Sequence, residues 1–200
     1  MQGRYEKIIY ENDRGQKVEI AYSFPYFLQS LIGVDGTNAE ITKIKGVGQD
    51  GTTITNVNLS DRNLQILGSI KGETKEEIAK YRAKLLQVFN PKIKGWLQYE
   101  YGDIKRRIRC QVENAPVFSK QNKSFKYQDF LIDLIAPNPY WQDINTTKEE
   151  IAIWRGLFGF PLELTEEGIE LGYREPSLIA NINNKGDVPC GMKIQFKALA

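Results

Sequence analysis

Histidine is absent from the 200-residue sequence, and cysteine occurs only twice, as Cys110 and Cys190. The lack of histidine removes the commonest general base and metal ligand, together with the Ser-His and Cys-His nucleophile pairs. The two cysteines are far apart and match no metal or redox spacing. Both thiols are expected to be reduced in a cytosolic site of assembly. These absences argue against most hydrolytic, redox and metal-dependent enzymes.

A large net charge and long apolar runs are also lacking. The 27 basic and 25 acidic residues leave a net charge of +2, whereas a dedicated nucleic-acid binder usually carries a strong basic excess. No apolar run approaches the roughly 20 residues that cross a bilayer. The first five residues lack the apolar core of a secretory signal. The sequence therefore predicts a soluble protein without membrane insertion.

Paired carboxylates are the remaining route to acid–base chemistry. Glu149-Glu150 and Glu166-Glu167 are neighbours in sequence, so their side chains do not face each other. Glu76-Glu77 lies in the first turn of a predicted helix, where negative charge favours the helix dipole. We therefore predict no catalytic residue, no cofactor site and no metal site.

Short strand-like segments separated by turns occupy most of the first 136 residues. Asn63 to Ile70 alternates, with apolar side chains on one face and polar ones on the other. Further strands are expected around residues 7–10, 17–21 and 125–136. Pro137-Asn138-Pro139 stops the last of these, because proline donates no hydrogen bond to a ladder. The pattern is typical of a mainly β domain.

One amphipathic helix is expected from residue 74 to residue 90. Thr74 and Glu77 form a capping box at its start. The apolar stripe consists of Ile78, Tyr81, Leu85, Val88 and Phe89. Asn90-Pro91 ends the helix, since the residue before proline avoids helical angles. This stripe is interpreted as a face that packs on the sheet.

A hairpin is expected from Lys94 to Glu113, with Gly102-Asp103 at its turn. Aromatic and basic side chains on a projecting β arm are typical of a subunit contact. On the second strand, Lys105, Arg107 and Arg109 form a basic row. This row also permits a contact with a nucleic-acid backbone, but a solvated face or a protected sheet edge is the favoured alternative. The candidate inter-subunit contacts are Trp96, Tyr99, Tyr101, Lys105, Arg107 and Arg109.

The residue pattern of the sequence changes after about residue 144. Glycines and prolines punctuate residues 156–172, and strand-like segments follow at Ser177 to Asn183 and Met192 to Lys197. Two or three strands do not close a core. We therefore predict a first domain at 1–143 and, at 144–200, a linker with the incomplete start of a second β domain.

An ordered series of motifs resembles the distal tail proteins of siphophages. The series begins with Asp61-Arg62-Asn63-Leu64-Gln65-Ile66-Leu67-Gly68 and continues through the capped helix, Asn90-Pro91-Lys92, Gly95-Trp96-Leu97-Gln98-Tyr99 and the basic strand. It ends with Phe130-Leu131-Ile132-Asp133-Leu134-Ile135-Ala136-Pro137-Asn138-Pro139-Tyr140-Trp141. The last stretch is the most specific piece of the series. Weaker similarity continues through Phe158-Gly159-Phe160-Pro161-Leu162 into the second domain, which is a galectin-like β-sandwich in relatives.

This resemblance implies a β-sandwich-like, antiparallel first domain with one packed helix and a protruding β-hairpin that reaches a neighbouring subunit. Six subunits would close into a ring at the tip of a phage or prophage tail. One face of the ring would meet the major tail protein, and the other a tail-associated lysin or fibre protein. DNA would pass through the channel without specific binding. The protein would be assembled in the cytoplasm of the bacterial host and reside in the virion.

Two other functions are weighed against this one. A carbohydrate- or receptor-binding module is the main alternative, and exposed aromatics on a complete second sandwich would favour it. A tail hydrolase is the third possibility, and the absence of histidine and of a convincing carboxylate pair argues against it. We therefore expect a structural protein rather than an enzyme.

Overall fold

A computed structural model describes residues 6–123, 126–145, 152–156, 172–176, 183–184 and 186–194. The chain divides into two compact units, Met1–Asn145 and Thr146–Ala200. Strands are the main secondary structure of the described residues, which contain a single helix. The predicted mainly β, antiparallel fold is therefore confirmed.

One antiparallel sheet forms the body of the first unit. Its strands are β1 (Glu6–Asn12), β2 (Lys17–Ile20), β3 (Tyr26–Ile32), β6 (Arg62–Lys71), β7 (Lys94–Tyr101), β8 (Ile104–Lys123) and β9 (Tyr127–Ala136). They lie in the order β2-β1-β7-β8-β9-β6-β3. Because neighbours in this order are often distant in sequence, alternation within a strand reveals each buried face but not its partner.

The sheet curls around a single core. Ala21 and Tyr22, just after β2, form bridges with Phe27 of β3, so the two ends of the sheet meet. Two main-chain hydrogen bonds hold this junction, from the Ala21 amide to the Tyr26 carbonyl (3.2 Å) and from the Leu28 amide to the Ala21 carbonyl (2.7 Å). All seven strands contribute side chains to one hydrophobic cluster. The curl therefore supplies the two facing layers of a sandwich-like domain.

Helix α1 (Lys75–Val88) covers part of this core. Thr74 is its N-cap, and its hydroxyl oxygen accepts a hydrogen bond from the Glu77 amide at 3.2 Å. The Glu77 carboxylate accepts from the amide of Glu73 (2.9 Å), one residue before the expected partner. Ile78, Leu85 and Val88 are buried. The predicted helix and its packed face are therefore observed.

A second hairpin, separate from the large sheet, consists of β4 (Ala39–Ile44) and β5 (Thr53–Leu59). Every residue of both strands is exposed. We call this hairpin the arm. Among the described residues, neither of its strands pairs with a strand of the large sheet.

The expectation that residues 94–113 form a projecting arm is wrong. β7 pairs along its whole length with β1 on one side and with β8 on the other. β8 in turn pairs with β9 from Gln111 onward, and with Gln142 and Asp143 at Arg107 and Arg106. These two strands lie inside the sheet because a pairing partner from the N-terminus, which local sequence does not reveal, covers the outer edge of β7.

Chain pairing resumes beyond the proline break after β9. The two-residue strand β10 (Gln142–Asp143) pairs with Arg107 and Arg106 of β8. Trp141, just before it, packs against the core and lies 6.1 Å from the Tyr99 ring. The proline motif thus interrupts the pairing of the chain after β9, and β10 then pairs with β8, the strand with which β9 also pairs.

In the second unit, β11 (Ala152–Gly156) pairs antiparallel with β12 (Gly172–Pro176). Of the strands expected from the sequence, residues 177–182 and 195–197 lie outside the described residues. Asn183 and residues 192–194 are described and are not in strands. The predicted division at 143/144 and the galectin-like character of this unit stay predictions.

Candidate functional site

The arm has one apolar and one polar face. Residues paired across an antiparallel ladder point to the same side, and the register pairs Ala39 with Leu59, Ile41 with Val57 and Lys43 with Ile54. The opposite face carries mostly polar residues, namely Glu40, Thr42, Thr53, Asn56 and Asn58, together with Ile44. The four large aliphatic side chains of the first face are between 44% and 56% exposed. An amphipathic hairpin is therefore displayed with its apolar face uncovered.

A bulge at Thr55 sets this amphipathic pattern. The register shifts between Thr42 and Lys43, and Thr55 is left without a Cα partner. Its hydroxyl donates to the carbonyl of Thr42 at 3.1 Å. The extra residue moves Ile54 onto the side of Val57 and Leu59, although strict alternation in the sequence would place it opposite. Sequence patterning alone consequently conceals the apolar face.

The root of the arm is held by Arg62, the first residue of β6. Its Nε donates to the Pro139 carbonyl (2.9 Å). Its Nη1 donates to the carbonyls of Gly33 (2.6 Å), Val34 (3.2 Å) and Asp35 (2.8 Å). Its Nη2 donates to the hydroxyl of Thr37. One guanidinium thus connects the segment before β4 with the proline motif after β9.

This arginine is buried although no carboxylate bonds to it among the described residues. Only 8% of Arg62 is exposed, and alternation places it on the core side of β6 with Leu64 and Ile66. Burial lowers the pKa of its guanidinium, while the nearby charge of Asp35 raises it to a smaller extent. Arginine nevertheless stays charged in proteins. The charge is therefore stabilised by neutral carbonyl and hydroxyl oxygens of the arm root.

Neither Arg62 nor the arm was predicted from the sequence as a candidate contact. The relevant signal for Arg62 is its register, because extending the apolar stripe of Leu64, Ile66 and Ile70 by one step gives a charged residue at a core position. The signal for the arm is weaker. Asn56-Val57-Asn58-Leu59 alternates, but only over four residues.

Three of the sequence-predicted contact residues lie together on the outer face of the sheet. Trp96 is half-buried, with the guanidinium groups of Arg107 and Arg109 at 4.7 Å and 5.4 Å from its ring centroid. Arg109 also donates two hydrogen bonds to the carboxylate of Asp13 (2.7 and 2.5 Å). The Nε of Arg107 is buried without a hydrogen-bond partner in the described structure. The side chains of Trp96 and Arg109 therefore contact other residues of the same chain, whereas the Nε of Arg107 is a donor without an acceptor among the described residues.

The other three predicted residues lie near the turn of the β7–β8 hairpin. Tyr99 and Tyr101 stack with parallel rings, at a centroid distance of 6.5 Å and an interplanar angle of 4°. Burial is the main cause that raises the pKa of Tyr99 to about 12, and Glu6 adds to it. Tyr101 and Lys105 are exposed. The six predicted residues thus form two groups, one on the sheet face and one at its end.

The described residues contain no group of three or more acidic, cysteine or histidine side chains placed to hold a metal ion. Their single helix is not long and apolar enough to span a membrane. Two shallow depressions are present, one beside Phe24 and Tyr81 and the other beside Trp96 and Arg107.

Known proteins were compared with this chain. The sequence profile of the family described as the phage tail protein RIFT-related domain matches residues 13–136. This match covers the strands from β2 to β9, including the arm, and helix α1. A search of curated proteins finds no match.

Solved structures share the fold. The Dit protein (gp 19.1) of phage SPP1, a paradigm of the hub adsorption apparatus in phages that infect Gram-positive bacteria, superposes with a TM-score of 0.53 at 14% identity over 74% of this chain and 54% of that protein. A component of the phage P2 baseplate in its Ca-activated conformation gives a TM-score of 0.51 at 9% identity, over 76% of this chain and 47% of its own. The chain therefore spans about half the length of these proteins. The resemblance expected from the motif series is confirmed, and the chain belongs to the family of phage tail proteins that share this RIFT-related domain.

Proposed function

We propose that this protein is a distal tail protein that closes into a hexameric ring at the tip of a long, non-contractile phage or prophage tail. The ring joins the tail tube to the proteins of host adsorption. The single observation that carries this proposal is the arm, whose apolar face is exposed in the isolated chain. Membership of a phage tail family supplies the setting in which such an arm has a partner.

The arm needs a partner for a physical reason. A two-stranded hairpin is at best marginally stable in water by itself. Burying four aliphatic side chains that are now about half exposed would stabilise it, at about 25 cal/mol for each Å² of apolar surface removed from water. A neighbouring copy of the same chain is the partner that we propose. The contact joins the arm of one subunit to a different surface of the next, and such a heterologous contact closes into a ring when the rotation permits.

The six residues predicted from the sequence are proposed to form a second, smaller contact. Tyr101 and Lys105 are exposed at the end of the hairpin, beside the half-buried Tyr99. On the sheet face, the guanidinium of the half-buried Arg107 would pair with an acidic side chain of the neighbouring subunit. Trp96 and Arg109 would support this position through their contacts with Arg107 and Asp13.

Further partners follow from the family resemblance. We propose that the major tail protein binds one face of the ring and a tail-associated lysin or fibre protein the other. DNA then passes through the central channel without specific binding. Residues 144–200 would begin the second, galectin-like domain, a suggestion that the antiparallel pair β11–β12 supports. The role is structural rather than catalytic, in the virion after assembly in the host cytoplasm.

The alternative of a carbohydrate-binding module has less support. Sugar rings bind to exposed aromatic faces, yet both arginines near Trp96 lie over its ring. The arm has no role in that alternative. The carbohydrate-binding module becomes the better hypothesis only if the chain does not assemble into a ring.

Mass photometry with negative-stain imaging over a concentration series tests the ring. A hexamer of 22.9 kDa subunits has a mass of about 137 kDa and should appear as an open ring. Adding the neighbouring tail proteins checks whether assembly requires them. A monomer at every concentration, with and without those proteins, would overturn the proposal.

Two adjacent substitutions test the part played by the arm. Val57→Asp places a charge on the apolar face, and Asn56→Asp places the same charge on the polar face one residue away, opposite the uncharged Thr42. Burying an unpaired carboxylate costs several kcal/mol, so Val57→Asp should weaken assembly by more than about tenfold. Asn56→Asp is the matched control and should retain the ring. Equal loss in both variants would contradict burial of the apolar face.

A further inference from the structure

Arg62 occupies a position from which it bonds to both ends of a long chain segment. Three carbonyls and one hydroxyl that it contacts belong to residues 33–37, which connect β3 to the arm. The fourth carbonyl, that of Pro139, belongs to the segment that leads out of β9. All three nitrogens of the guanidinium are used. Packing of the apolar core does not by itself require an arginine at position 62, because a hydrophobic residue of similar volume often stabilises a core as well as a buried charge does.

The arm root approaches the sheet closely at a second point. Gly33 has a φ of 91°, and a Cβ at this position would overlap the Asn63 carbonyl oxygen, next to Arg62. The base of the arm is closed by a hydrogen bond from the Ser60 amide to the Asn38 carbonyl (3.0 Å). The side chains of the arm itself are exposed and do not hold it against the body. The direction of the arm therefore depends on its root.

We propose that Arg62 is a positioning residue that fixes the direction in which the arm leaves the sheet, and that subunit assembly depends on this direction. The second part of the inference rests on the proposed ring function. The guanidinium is suited to the task because its planar fork presents five donors in fixed directions, whereas a lysine ammonium presents three from one point. A lysine at this position offers only three donors for the five oxygen atoms to which Arg62 bonds, so part of this connection is lost. In an Arg62→Lys variant, the arm would still be attached to the sheet, but the direction in which it leaves the sheet would be less restricted.

The direct test is a distance distribution between two spin labels. One label is placed at Val47, near the arm tip, and the other at Lys84, on the exposed face of α1. Both positions are changed to cysteine in a Cys190→Ser background, and Cys110 is buried and can remain. Val57→Asp is included to keep the chain monomeric. We expect a narrow distribution with Arg62 and a broader one in Arg62→Lys.

The matched control is Arg109→Lys, which loses the bidentate pair with Asp13 on the sheet face but leaves the root intact. Its distribution should stay narrow. Thermal unfolding is measured in parallel, since a residue that only stabilises the core would lower the midpoint without broadening the arm. If Arg62→Lys does not fold, Thr37→Val replaces it, because this change removes one acceptor of Arg62 and should broaden the distribution to a lesser degree. An unchanged distribution in the folded variants, or equal broadening in Arg109→Lys, overturns the proposal.

Assembly is then measured without the Val57→Asp change. The concentration for half-maximal ring formation should rise about tenfold in Arg62→Lys, because a less restricted arm loses more conformational entropy when a subunit contact orders it. A broadened arm with unchanged assembly would overturn the link between arm direction and the ring. If the unaltered protein forms no ring under any condition, the proposed function fails instead, and the spin-label result still decides whether Arg62 orients the arm.

Discussion

The rings of Tyr10 and Phe89 stack with centroids 4.3 Å apart and planes inclined by 17°. Tyr10 belongs to β1, and Phe89 is the C-cap residue of α1. Both side chains are fully buried. Gly95 of β7 makes room for the pair, since a Cβ there would lie 2.5 Å from the Tyr10 ring. The stack therefore fixes the end of the helix against the central strands.

Phe89→Ala should strongly destabilise the first unit. The change leaves a cavity beside Tyr10, and removal of a buried phenylalanine side chain costs about 3–5 kcal/mol. Chemical denaturation followed by tryptophan fluorescence measures the loss in the free energy of unfolding. Tyr101→Ala, at a site that is 56% exposed, is the control and should cost about 1 kcal/mol or less, because it removes only the partly exposed stack on Tyr99. Similar losses in the two variants would contradict the importance of the stack.

Tyr10→Phe should behave in the opposite way. The Tyr10 hydroxyl is buried and has no hydrogen-bond partner in the described structure, and burial is the main cause that raises its pKa. A buried polar group without a partner costs about 1–3 kcal/mol. Removing this hydroxyl while keeping the ring should leave the free energy of unfolding unchanged or increase it by about 1 kcal/mol. A clear loss of stability would show that the hydroxyl is bonded.

The helix and most strands were predictable because their signals are local. The capping residue Thr74 and the stripe through Ile78 and Leu85 define α1 within a few turns. Burial of one face produces the alternation from Leu64 to Ile70. Where both signals are present, sequence and structure agree within a few residues.

The arm was not predicted because alternation of apolar and polar residues arises where one face of a strand is buried, and no residue of the arm strands is buried within its own chain. The bulge at Thr55 also breaks its alternation. The opposite error occurred at β7 and β8, whose aromatic and basic residues suggested a projecting arm. Their position was fixed by β1, which pairs Ile8 with Tyr99 across 91 positions of sequence. Such long-range pairing leaves no local pattern.

The two thiols should differ in reactivity. Burial raises the pKa of Cys110 to about 12, and the thiolate is the reactive form. Cys190 is exposed. In the monomeric Val57→Asp variant, a chromogenic disulfide reagent should titrate one thiol per native chain and two after denaturation. Rapid modification of both thiols in the native protein would show that β8 opens readily.

Acid stability should depend in part on Asp13. Hydrogen bonds from Arg109 are the largest cause that holds the pKa of Asp13 below its ordinary value. A carboxyl with a lowered folded-state pKa stabilises the fold above its unfolded pKa of about 3.9, and the contribution is lost as the pH falls through the lower folded value. Asp13→Asn should therefore flatten the decline of the melting temperature below this pH.

The effect at Asp13 should be small, because both partners are partly exposed and salt screens such pairs. Melting curves at low and high ionic strength test this point. Asp50→Asn, in the loop of the arm, is the control for removing an acidic charge elsewhere. If both variants alter the acid limb equally, the pair with Arg109 is not responsible.

The arm should be dispensable for folding and required for assembly. Asn38 and Ser60 are already joined by a hydrogen bond from the Ser60 amide to the Asn38 carbonyl, so an Asn-Gly turn can replace residues 39–59 between them. Because no residue of the strands removed is buried, the free energy of unfolding should change by less than about 0.5 kcal/mol. Mass photometry should then show a monomer at concentrations where the intact chain forms rings. A shortened chain that still forms rings would assign assembly to the surface around Tyr101 and Arg107. A shortened chain that unfolds would instead show that the arm stabilises its own subunit.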